Sequence, residues 1–98
     1  MIIEKAVINV DPGKEAAFQA AFFEAEPFVV ASPGCEAVHL YRCIEEPGRF
    51  MFVIEWESVA AHEEGFRKSP AFAEWRRVVG PYLSGLAELA HWRPLEAP

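Results

Sequence analysis

Apolar and polar residues exchange sides every second position at the start of the chain. Ile2, Ala6, Ile8 and Val10 share one parity, and Ile3, Val7 and Asn9 the other, which predicts a strand over Ile2–Val10. Asp11-Pro12 reads as a helix start, a capping carboxylate followed by Pro at the first helical position. Phe18, Ala21, Phe22, Ala25 and Val29 then recur at helical spacing, with Pro27 expected to kink the helix near Phe23. Ser32-Pro33-Gly34 ends that element, and alternation resumes from Cys35 to Ile44. A Pro47-Gly48 turn leads into a third strand, in which Phe50, Phe52, Ile54 and Trp56 alternate with Met51, Val53, Glu55 and Glu57. Ser58 caps a short helical stretch in which Val59, His62 and Phe66 are expected to share a face, weakened near its end by Gly65. Ser69-Pro70 restarts the helix with the stripe Phe72, Trp75 and Val79, and Gly80-Pro81 stops it. Leu86–Trp92 is a last strand.

The order β-α-β-β-α-β is the ferredoxin-like α+β arrangement, with two helices over one face of a four-stranded antiparallel sheet. In the central hairpin Val38, Leu40, Phe52, Ile54 and Trp56 oppose His39, Tyr41, Cys43, Met51 and Val53. Neither set is the polar face of a solvated sheet, and no helix remains to cover the second one. The simplest cover is the same face of another copy, hence a homodimer. Ninety-eight residues suit one domain, a folded core over 1–93 and a tail over 94–98.

Trp56-x-Ser58, then His62, then Phe66-Arg67-x-Ser69-Pro70-x-Phe72-x-x-Trp75-Arg76 resembles the second half of an antibiotic biosynthesis monooxygenase (ABM) domain, and the Ser32-Pro33-Gly34 turn fits the same pattern. The resemblance extends over nearly the whole chain. It implies a dimeric α/β barrel, with two sheets face to face and the helices outside. It also implies a range of activities: oxygenation of polyphenols and quinols, haem degradation, isomerisation of small sugar-like signals. The haem-degrading branch carries a first-strand asparagine, a tryptophan before the corner of the second helix and a ligand histidine after it. Aligned on Ser69, those places hold residues near Ala6, Phe66 and Arg76, which argues against haem degradation.

Composition narrows the remaining classes. The formal charge, 9 − 15 = −6, argues against nucleic acid and anionic membrane surfaces. No apolar run approaches the ~20 residues of a membrane helix, and MIIEKAVINV lacks signal-peptide character, so a cytoplasmic location is expected. Cys35 and Cys43 lie roughly 26 Å apart if both sit on one extended strand, so free thiols are expected. There is no CxxC, no Gly-rich phosphate loop and no GxSxG, so neither a metal nor a cofactor is expected.

His62 is the candidate catalytic residue, as general base or orienting donor, against the plainer possibility of a buried histidine tied to a backbone carbonyl. Trp56, Phe66, Trp75 and Arg76 are the candidate substrate-binding residues. The aromatics would wall a flat pocket or simply fill core. Arg76 would meet a phenolate or other anionic oxygen, or pair with Glu74 or another surface acid. The side on which His39, Tyr41 and His91 lie is left open. Two functions follow: a cofactor-independent monooxygenase of small aromatic, quinol-like or polyphenolic substrates, or a non-catalytic ligand-binding or stress-associated dimer with the same barrel.

Overall fold

The computed structural model describes residues 1–98. Its elements run β1 (Ile2–Asn9), α1 (Glu15–Val30), β2 (Cys35–Arg42), β3 (Arg49–Trp56), a π-helical turn (Ala61–Phe66), α2 (Pro70–Val79), a 3-10 turn (Gly80–Gly85) and β4 (Leu86–Trp92). The strands form one open antiparallel sheet in the order β2-β3-β1-β4, the expected βαββαβ α+β architecture. The edges β2 and β4 do not meet, so the chain alone makes a sheet and not a closed barrel.

Pairing register decides which residues share a face. Leu40 and Ala6 both lie opposite Phe52, Val38 lies opposite Ile54, and Ile8 opposite Phe50. These residues and Trp56 pack under the helices against Phe18, Phe22, Ala25 and Val29 of α1, Phe66 of the π turn, and Trp75 and Val79 of α2. The reverse face carries Ile3, Lys5, Val7, His39, Tyr41, Met51, Val53 and Trp92 and has no helix over it. His39 and Tyr41 are exposed there, and Trp92 is 50% exposed.

Several boundaries differ from expectation. Asp11-Pro12-Gly13 forms a turn, closed by Lys14 N–H donating to the Asp11 carbonyl at 3.0 Å, with Gly13 at φ +87°. The helix therefore begins at Glu15, with no side-chain cap. It continues through Pro27 to Val30. The second strand ends at Arg42, leaving Ile44 in the turn and 92% exposed. Gly80-Pro81 ends α2 by tightening the chain into a 3-10 turn. Ser69 caps α2 as its sequence indicates, accepting from Phe72 N–H, with Pro70 first in the helix.

Between Ala61 and Phe66 the chain widens into a π turn, marked by Arg67 N–H donating to the His62 carbonyl five residues back at 2.9 Å. The wider turn rotates Val59 off the shared face into solvent, while His62 and Phe66 stay buried. Ser58 Oγ does hold the start of this segment, accepting from Ala61 N–H at 3.1 Å. No helix is long and apolar enough to cross a membrane.

Candidate functional site

The π turn sets His62 flat on the indole of Trp56, ring centroids 5.3 Å apart and 18° from parallel. His62 is 3% exposed and Trp56 fully buried. No backbone carbonyl holds the imidazole; both ring nitrogens face side chains. Nε2 lies 3.3 Å from Oε1 of Glu4, and Nδ1 lies 2.8 Å from Nε2 of His91. The same Glu4 oxygen accepts a hydrogen bond from the Trp56 indole N–H at 3.0 Å. Glu63, next along the turn, brings Oε1 to 3.6 Å from His62 Nδ1 and 3.7 Å from His91 Nε2.

Glu4 shares its strand parity with Ile2, Ala6 and Ile8, so the pleat drives its carboxyl under the helices. Burial pushes its pKa up from 4.5 to about 7; the Trp56 N–H acts in the opposite direction, and the charge of Glu63 adds to the rise. Burial lowers His62 from 6.5 to about 4, with Glu63 opposing. At neutral pH His62 is therefore an uncharged ring beside a carboxyl poised to gain or lose a proton. A buried carboxyl is costly, and its presence among apolar residues marks a functional candidate.

His62 also lines a cavity of about 210 Å³ between α2 and β4. Trp75 and Arg76 line it too, with Phe72 and Arg67 on the helical side and Leu86 and Leu89 on the strand side. Trp56 and Phe66 lie beneath, in the core, and are not on its wall. Phe72 and Trp75 are stacked, centroids 5.9 Å apart and 24° from parallel, giving the cavity a flat aromatic side. The Trp75 indole N–H is buried and has no hydrogen-bond partner. Arg77, not Arg76, pairs with Glu74, at 3.2 Å; Arg76 makes no ion pair and is an exposed residue lining the cavity. A larger concavity of about 350 Å³ between Asn9–Lys14 and Pro81–Gly85 is walled by the end of β1, the turn after it, Ala17 of α1 and the 3-10 turn, and holds no buried titratable group.

Glu4, Glu63 and Arg67 escaped sequence reasoning. The signal for Glu4 was present, a carboxylate on the apolar parity of β1. His91 was undecided, and its role follows from register: it lies directly opposite Glu4 across β1 and β4.

A four-stranded antiparallel sheet in βαββαβ order, with a cavity between the second helix and β4, defines a small ferredoxin-like α+β domain. The family model for antibiotic biosynthesis monooxygenase matches residues 1–78, and the chain belongs to that family. The matched span includes Glu4, His62 and Glu63 and ends before β4, so His91 lies outside it. A Bordetella bronchiseptica structure, assigned as a candidate antibiotic biosynthesis monooxygenase, is 40% identical, with a TM-score of 0.85 and 97% of both chains covered. An uncharacterized Bacillus subtilis protein, YczJ, is 29% identical over 93 residues, 95% of this chain and 98% of that protein. A Caulobacter crescentus structure with the same candidate assignment shares the fold at 24% identity and a TM-score of 0.80, covering 97% of this chain and 90% of that one.

Proposed function

We propose that this protein is a cofactor-independent monooxygenase acting on a small phenolic or quinol-like aromatic bound between α2 and β4. The observation that carries the reading is one aromatic-walled cavity lined by Trp75, an unpaired Arg76 and a neutral His62 backed by Glu4. Family membership and the candidate assignment of the Bordetella relative support the reaction class. The cavity of about 210 Å³ is below the ~300 Å³ lower end of common ligand pockets, which favours a one- or two-ring substrate over a large polyphenol.

In this mechanism His62 holds its proton on Nε2, 3.3 Å from Oε1 of Glu4, and presents Nδ1 as the acceptor. The substrate hydroxyl takes the place of His91 at Nδ1. As the phenol proton arrives there, the Nε2 proton passes to Glu4, whose pKa of about 7 suits a base at neutral pH. Arg76 stabilises the phenolate oxygen, and the Trp75 ring walls the substrate. The electron-rich phenolate then reduces dioxygen itself. A carbon–oxygen bond forms at an unsubstituted ring carbon ortho or para to the oxygen, giving a hydroperoxide; loss of water leaves the quinone. Phenol plus dioxygen yields quinone plus water, with every electron drawn from the substrate.

The functional unit in this proposal is a homodimer. The uncovered face presents Ile3, Val7, Met51, Val53 and Trp92, with Lys5 paired to Glu88 at 3.2 Å and His39 Nε2 at 3.1 Å from Glu55 around them. A second copy of this face is its natural cover. The catalytic reading is tested by oxygen uptake with a panel of monocyclic and bicyclic quinols and anthrone-like phenols, comparing wild type with His62→Ala. Loss of a general base typically costs ~10²–10⁴-fold in rate. No uptake with any member of the panel, or undiminished uptake by the variant, would count against it.

A further inference from the structure

We infer that His62 Nδ1, His91 Nε2 and Glu63 Oε1 form a binding site for a divalent first-row transition ion, with Glu4 as the outer carboxylate that orients His62. The site runs against the expectation from sequence, where residues 62, 63 and 91 have no metal-ligand spacing; the β1–β4 register and the π turn assemble it.

The three donor atoms are separated by 2.8, 3.6 and 3.7 Å. A triangle of those sides has a centre about 2.0 Å from each corner, which matches the ~2.0–2.2 Å bonds of zinc to imidazole nitrogen and carboxylate oxygen. Spreading the two histidines by about half an ångström lets an ion rise out of the donor plane and take a fourth, water-derived ligand in tetrahedral geometry. His91 and Glu63 are partly exposed, their side chains at 24% and 33%, so an ion has a route in. His62 is the buried anchor.

A second, independent observation points to a ligated ion. Metal-binding histidines commonly donate their other ring N–H to a carboxylate, which fixes the tautomer and raises the basicity of the ligating nitrogen. His62 has such a carboxylate beside it: Nε2 lies 3.3 Å from Oε1 of Glu4, which is itself held by the Trp56 indole. The buried acid, costly as packing, is the partner a metal-bound imidazole requires. Two imidazoles and one carboxylate select zinc, cobalt, nickel or ferrous iron over magnesium or calcium, which prefer all-oxygen sites. The inference stands apart from the oxygenase reading. Both use the lone pair of His62 Nδ1, so metal binding and substrate deprotonation exclude one another.

The test is calorimetric titration of zinc into tag-free, chelator-stripped protein, with cobalt absorption spectra reporting coordination number. The expected result is one zinc per chain at micromolar affinity or tighter, and a tetrahedral cobalt spectrum. Glu63→Gln, an isosteric change on a partly exposed residue, and His91→Ala should each weaken binding tenfold or more. Glu4→Gln should weaken it ~10–100-fold through the outer carboxylate. His39→Ala, on the opposite face of the sheet, should leave it unchanged. Circular-dichroism melting confirms that each variant is folded. No binding by the wild type, or binding lost in His39→Ala and retained in His91→Ala, overturns the assignment whether or not the protein oxidises quinols.

Discussion

Glu4→Gln separates two buried titrations that hide each other in the wild type. Glu4 moves from 4.5 unfolded to about 7 folded, so between those values the folded state keeps a proton that the unfolded chain has lost. Its stabilising contribution is full below pH 4.5 and disappears as pH rises to about 7. His62 moves from 6.5 to about 4, so its contribution is full above pH 6.5 and is lost as pH falls to about 4. Each displacement is worth on the order of 3 kcal/mol, taking ~1.36 kcal/mol per pH unit. The slopes are opposite. Between about pH 4.5 and 6.5 the wild type therefore shows almost no net pH dependence from this pair. Glutamine keeps the shape and an acceptor for the Trp56 N–H but removes one titration. Relative to wild type, Glu4→Gln should gain about 3 kcal/mol as pH rises from about 4.5 to 7. Urea unfolding followed by tryptophan fluorescence at fixed chain concentration measures this. Stability curves that stay parallel across the range would refute the buried, proton-holding assignment of Glu4.

Trp75→Phe should change stability by less than about 1 kcal/mol, because the indole N–H it removes is unsatisfied; it should raise KM on an active phenol with a smaller effect on kcat, as steady-state kinetics would show. Gly85→Ala should be destabilised by about 2–3 kcal/mol, lowering Tm by roughly 10 °C or more in a melting scan, since an added Cβ would sit 1.8 Å from the Asn9 carbonyl oxygen. Light scattering at micromolar concentration should give twice the 11.0 kDa chain mass; a single-chain mass would exclude pairing through the open face.

The fold was largely legible because its signals are local. The Ser69-Pro70 start of α2, the strand Leu86–Trp92 and the stripe Phe18, Phe22, Ala25, Val29 each depend on spacing within one element. Asp11-Pro12 misled because the same residues serve a turn when glycine follows, and Gly13 closes that turn. Val59 misled because the π turn changes the residues per turn, which a 3.6-residue period does not reveal. The site depended on what spacing cannot give. Glu4, His62 and His91 come from opposite ends and the middle of the chain, and only strand register unites them. His62 could be named from its stretch, yet its carboxylate and imidazole partners were a consequence of pairing. Arg77 rather than Arg76 pairs with Glu74 because i,i+3 residues are neighbours on a helix and i,i+2 residues are not, a spacing the sequence already carried.

The most direct test of the oxygenase reading is single turnover under isotopically labelled dioxygen, using chelator-stripped protein, an active phenol and no added cofactor. One labelled oxygen atom should appear in the quinone and the other in water, and the yield should fall ~10²–10⁴-fold in His62→Ala at unchanged fold. Product without label, or full yield from the variant, would contradict it.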